Sequence, residues 1–234
     1  MDASAYALVH GLRSTRATLG GWRRQPWPIV RAWFLGSLAV AVVLLLAVWL
    51  IATTSTSHGG LVLHQPPFAV GRPGDVLQVL RHNLLVLALH AMACVAGFIA
   101  GSSLPLQAAR RTGLSRAIHE RGRPIAIALV VCATGFSLSL QAYVLGKGVA
   151  DVAATLRTTP GLLLLSLLPH ALPELVALFL PLAAWIVASR RGAWDELLAA
   201  TFVTVAIAIP ILVLAAIWEV YAAPHVVGAV VGYR

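Results

Sequence analysis

Five long apolar runs constrain this chain more than any other feature: residues 33–53, 83–105, 124–146, 161–189 and 197–223. A helix needs about 20 apolar residues to cross a hydrocarbon core of about 30 Å. Inside that core every backbone amide must be paired within the protein, so spanning segments are helices or closed barrels. Runs of this length predict an all-α fold, a polytopic membrane helical bundle with about five transmembrane helices. The connections between them are too short for a separate soluble domain, so residues 1–32 read as a basic interfacial segment and 33–234 as one membrane domain. Composition agrees. Of 234 residues, 59% are hydrophobic and 11% charged, with a mean hydropathy of +0.87, more apolar surface than a soluble core of this size requires.

The formal charge of +9 follows the membrane instead of forming a nucleic-acid patch. Most of the basic residues fall on one side of the spans: Arg13, Arg16, Arg23, Arg24 and Arg31 before the first, Arg110, Arg111, Arg116, Arg121 and Arg123 between the second and third, and Arg190 and Arg191 between the fourth and fifth. The other side holds Arg72, Arg81, Lys147, Arg157 and Arg234. The positive-inside rule then places the N-terminus in the cytoplasm and the C-terminus outside, with anionic headgroups as partners of the basic side and no nucleic acid. The first run is longer than a cleavable signal peptide's apolar core of about 7–15 residues, so it reads as a retained anchor.

Trp22, Pro26, Trp27 and Pro28 among the arginines suggest a short interfacial helix before the first span. The first span carries no ionisable residue and reads as lipid-facing over much of its surface. In the outer loop, about 54–82, Pro66, Pro67, Gly71, Pro73 and Gly74 discourage regular structure, and from Asp75 an apolar pattern runs into the second span at Asn83. Ala93, Gly97 and Gly101 recur every four residues, a stripe that permits close helix contact in lipid, either as a seam within the monomer or as a homodimer contact. Gly135 and Ser139 repeat the spacing. Cys94 and Cys132 read as small packing groups.

The fourth span is unlike the others. Pro169 and Pro173 each remove a helical hydrogen bond, so a break is expected near Pro169, with Pro173 in the first turn of a restarted helix. Between and after them stand His170 and Glu174. Glu174 and Glu219 are the two carboxylates inside the runs. The topology puts Glu174 about 24 Å from the Arg190 end at 1.5 Å per residue. It brings Glu219, at the far end of the fifth span, to the same level, together with His170 and Asn83. Ionisable groups at such depth are costly and are paired, protonated or wet. Asn83, His170, Glu174 and Glu219 therefore form either a buried hydrogen-bonded lock or a substrate, proton or ion site. Metal is disfavoured because the paired-histidine zinc pattern is absent. No nucleophile elbow or phosphate-cradling glycine loop appears, so neither an enzyme nor a cofactor is expected.

Pro169-His170-Ala171-Leu172-Pro173-Glu174 looks like the Pro-His-small-x-x-Glu motif of the stage II sporulation protein M family of bacterial membrane proteins. Ala215 to Pro224, through Trp218, Glu219 and Tyr221, looks like that family's closing run, and Arg81-His82-Asn83 through Gly97 and Gly101 is similar to its asparagine-led second span. The chain differs at Ala171, where the family often has glycine, and at His82, where a second asparagine is common. The resemblance implies a five-span protein of the bacterial inner (cytoplasmic) membrane with no established catalytic activity. In spore formers the implied role is a scaffold that recruits peptidoglycan-remodelling proteins. Some relatives are associated with circular bacteriocin maturation or immunity.

Two function classes follow. One is a non-catalytic membrane scaffold or assembly partner of other envelope proteins; the other is a transporter or transporter subunit moving a small solute, peptide or ion past Glu174 and Glu219. For the topology, cysteines introduced at Arg116 and at His64, in a background without Cys94 and Cys132, are expected to label from opposite sides of intact cells. The Arg116 position should react only after permeabilisation, and labelling of both from one side would overturn the five-span reading.

Overall fold

The computed structural model describes residues 3–56, 71–103 and 112–231. Within them the chain is helical, with no strand: α1 (Ala3–Trp22), α2 (Trp27–Thr54), α3 (Pro73–Phe98), α4 (Gly113–Thr155), α5 (Pro160–Arg191), α6 (Leu197–Tyr221) and α7 (Ala223–Val231). A π-helical turn, Ile99–Ser103, prolongs α3, and a 3-10 turn, Trp194–Glu196, leads into α6. Five of these segments are long and apolar enough to cross a membrane: Trp27–Thr54, Pro73–Ser102, Ile127–Thr155, Pro160–Arg191 and Trp194–Tyr221. This is a polytopic helical membrane protein. Pro66, Pro67, Arg110, Arg111, Arg234 and the labelling position His64 lie outside the described residues.

The expected break in the fourth span is not there. α5 is helical from Pro160 to Arg191 without interruption. Proline's fixed φ is compatible with a helix; what Pro169 and Pro173 lose is one donor each, toward the carbonyls of Leu165 and Pro169. Breaking the helix in hydrocarbon would strand several backbone groups at a few kcal/mol each, so continuity costs less. Both rings are exposed and share one stripe, clear of the buried stripe formed by Leu163, Ser166, His170 and Ala177.

Helix ends are set by local chemistry. The outer loop ends earlier than expected, since Pro73 and Gly74 belong to the first turn of α3, where a proline costs no hydrogen bond. There the Asp75 carboxylate reaches back to accept from the Arg72 backbone N–H at 2.7 Å, half of a capping box. Thr159 caps α5 by accepting from the Leu162 N–H at 3.2 Å, ahead of Pro160. α4 and α5 both end in paired reverse bonds: Thr158 N–H to Ala153 O and Arg157 N–H to Ala154 O, then Ala193 N–H to Ala188 O and Gly192 N–H to Ser189 O. The left-handed residue of this motif is Gly192 in α5 (φ 68°) and Arg157 in α4 (φ 53°), where a side chain costs about 1 kcal/mol.

Contacts sort the chain into two units, each gathered from three segments. The first comprises residues 1–37, 86–134 and 178–208. In it the basic N-terminal helix meets the connection between α5 and α6: the Ser14 hydroxyl donates to Asp195 O at 2.9 Å. Two segments assigned by the arginine count to one side of the membrane thus touch. Trp22 stacks edge-on against Trp33 at 5.2 Å. The small-residue stripe of α3 faces the chain's own helices. A Cβ on Gly97 would lie 2.6 Å from Trp185 Nε1 and 2.8 Å from Leu197 Cδ1, and one on Gly101 would strike the Trp194 ring. Beside them the buried Cys94 thiol donates to Pro181 O at 3.0 Å, whereas Cys132 is exposed.

The second unit comprises residues 38–85, 135–177 and 209–234. Gly71 N–H donates to Val220 O at 3.2 Å, tying the start of α3 to the end of α6. Ala153, Leu156, Leu163 and Val227 form a small core joining the end of α4, the start of α5 and α7. α2 is more than an anchor, since it buries Ala41, Leu44, Val48 and Ala52 along one stripe. Among the described residues the Gly135/Ser139 ridge forms no seam. Nothing lies within 4 Å of a Cβ on Gly135, and the Ser139 hydroxyl simply donates to Gly135 O at 2.8 Å.

Two consequences are measurable. Gly97→Val and Gly101→Val should each lower the apparent melting temperature in detergent, at about 1–3 kcal/mol for overpacking, while Gly135→Val should leave the monomer unchanged. Arg157→Gly should raise it slightly by relieving the left-handed side chain.

Candidate functional site

The unbroken α5 keeps His170 and Glu174 one helical turn apart, on neighbouring positions of its buried face. Both line a crevice of about 180 Å³ within the second unit, together with Glu219 of α6. Its walls are aliphatic: Leu44, Leu45 and Val48 from α2, Leu145 and Val149 from α4, and Leu164, Leu167 and Leu175 from α5. No Lys or Arg is among the lining residues. Glu174 and Glu219 share this lining, near enough for their charges to interact.

Asn83 is not part of the lining but lies against the Glu174 carboxyl. It is 4% exposed, and its Nδ2 completes no hydrogen bond; the approach falls short of hydrogen-bond geometry. His170 is 7% exposed, and its Nδ1 likewise has no partner. Structurally dedicated polar clusters satisfy such atoms, because each unsatisfied one costs about 1–3 kcal/mol. Two carboxylates and two unsatisfied nitrogens around one crevice thus form an incomplete network, able to take a proton, a cation or a hydrogen-bonding group.

His90 and His82 stand apart from this arrangement. His90 lies in the first unit, buried edge-on against Phe179 at 5.3 Å, with Nδ1 3.0 Å from Val86 O. His82 is exposed. Among the described residues no three His, Cys, Asp or Glu side chains stand close enough to hold a metal ion.

Pro169 and Pro173, expected at a break, instead occupy the exposed stripe of the helix that carries His170 and Glu174. Sequence reasoning missed the aliphatic wall from α2 and α4. The first span is apolar on every side, so its pattern does not distinguish the face toward Glu174 from the face toward lipid, and the sequence carries no signal for it.

Against this geometry, comparison with protein-family models, with curated proteins and with solved structures finds no match for the chain.

Proposed function

We propose that this protein is a transporter or transporter subunit of the bacterial cytoplasmic membrane, with its N-terminus inside, and that Glu174 and Glu219 form its intramembrane binding site. The observation that carries this reading is the pair of partnerless buried atoms, Asn83 Nδ2 and His170 Nδ1, beside two carboxylates with no lining cation. A lock that existed only to hold helices together would satisfy those atoms. In the proposed role the acids exchange a proton or a cationic solute, His170 and Asn83 orient it, and the aliphatic walls exclude competing water.

The second reading is a non-catalytic scaffold of the stage II sporulation protein M type, assembling with other envelope proteins or as a homodimer. Its support is that the Pro169–Glu174 and Ala215–Pro224 segments, which carry that resemblance, contribute His170, Glu174 and Glu219 to one crevice. The exposed face of α4, with Phe136, Leu140 and Val144, would be its lateral contact.

Stability separates the two. Binding sites retain interactions that disfavour the empty fold, so Glu174→Gln and Glu219→Gln should each leave the apparent melting temperature in detergent unchanged or higher. The double replacement should be non-additive, with a coupling of about 0.5–3 kcal/mol. Glu174→Leu, which removes hydrogen-bonding capacity beside Asn83, should be less stable than Glu174→Gln. Additive losses of about 1 kcal/mol or more from both glutamine variants would instead indicate a lock.

A further inference from the structure

The acidic crevice has an apolar neighbour within its unit. A second, larger groove of about 580 Å³ runs between α2 and α4, lined by Ala39, Val40, Val43, Ala47 and Ile51 on one side and Leu138, Ser139 and Ala142 on the other, and Leu44 lines both spaces. Chemically the two are complementary. The groove offers aliphatic surface with the Ser139 hydroxyl as its one polar side chain; the crevice offers two carboxylates, an imidazole nitrogen without a partner, and no Lys or Arg. We propose that crevice and groove together bind one single-chain amphiphile, an alkylammonium, with its ammonium between Glu174 and Glu219 and its chain in the α2–α4 groove.

The proposal rests on the reading of Glu174 and Glu219 as a binding site and names its ligand. Each half of the ligand follows from a different observation. A charge between two acids that no lining Lys or Arg neutralises must be positive. An ammonium also has three donors, enough to engage both carboxylates, and with His170 in the Nε2–H tautomer Nδ1 accepts one of them. The chain follows from the groove: aliphatic walls accommodate methylene groups by packing, and Leu44, common to both linings, sets the two spaces side by side, within reach of one molecule. A small inorganic cation would leave the groove unused, and a zwitterionic or anionic head would meet the two acids unfavourably. A bilayer chain lying in the groove as ordinary annular lipid would make no use of the carboxylates.

The test uses the full chain in phosphatidylcholine nanodiscs and three probes: dodecylammonium, butylammonium and dodecanol. Dodecylammonium is expected to bind saturably at one per chain, at least tenfold more tightly than either partial probe. Glu174→Gln/Glu219→Gln should abolish that preference over dodecanol. Ala39→Trp and Ser139→Phe, both at exposed groove positions and so tolerable to the fold, should weaken dodecylammonium by tenfold or more while leaving butylammonium as it was. Binding of butylammonium that depends on the acids, with no gain from the longer chain and no effect of the groove variants, would overturn the amphiphile and leave the site intact. Ammonium binding insensitive to the double glutamine replacement would overturn both. Displacement of dodecylammonium when phosphatidylethanolamine replaces phosphatidylcholine would assign the site to a bilayer lipid and overturn the single-chain assignment.

Discussion

In hydrocarbon a backbone amide has no water to fall back on, and the rest of this structure depends on that constraint. It turns nearly the whole described chain into helix and carries α5 through Pro169 and Pro173 without a break. The same prolines in a soluble protein would commonly end a helix, because water would satisfy the released groups. Here continuity is the less costly alternative, and it has a functional consequence: the register from His170 to Glu174 survives, so imidazole and carboxylate reach the same crevice.

Close helix packing is the second requirement. Lipid supplies little hydrophobic drive for helices to associate, so contact is gained by letting backbones approach. Gly97 and Gly101 meet the faces of Trp185 and Trp194, which joins the small-residue stripe of α3 to large rings on α5 and on the turn before α6. The enclosure is uneven. The most apolar part of α5 is 61% buried and that of α4 only 6%, so α5 has protein around it where α4 presents its side chains outward. A carboxylate on α5 can therefore sit among aliphatic walls while remaining beside other polar groups, an arrangement α4 could not provide.

The cluster at Glu174 differs from the buried hydroxyls of the same helices. Thr204 and Ser166, buried elsewhere on the same helices, spend their hydroxyls on carbonyls of the preceding turn, at 2.7 Å to Ala200 O and 2.6 Å to Leu163 O. Their polarity is absorbed locally. Asn83 and His170, also buried, are not so absorbed, and neither is Trp185 Nε1 in the first unit. Unsatisfied nitrogens beside two carboxylates at one crevice are what the proposed binding site rests on.

Spans and helical class were legible from residues alone, since length and hydropathy follow from solvent chemistry that ignores neighbours. So were the polar candidates Asn83, His170, Glu174 and Glu219, because any ionisable or amide group in an apolar run is conspicuous. The prolines misled, for a proline's local cost is visible in sequence while the greater cost of breaking a helix in lipid depends on its surroundings. Only tertiary structure decided that α2 lends Leu44 and Val48 to the crevice, that Gly97 and Gly101 face tryptophans of the same chain, and that α4 stays largely uncovered. In an all-apolar span every face has the same composition, so which face is buried is chosen by partners distant in the chain and not by the span itself.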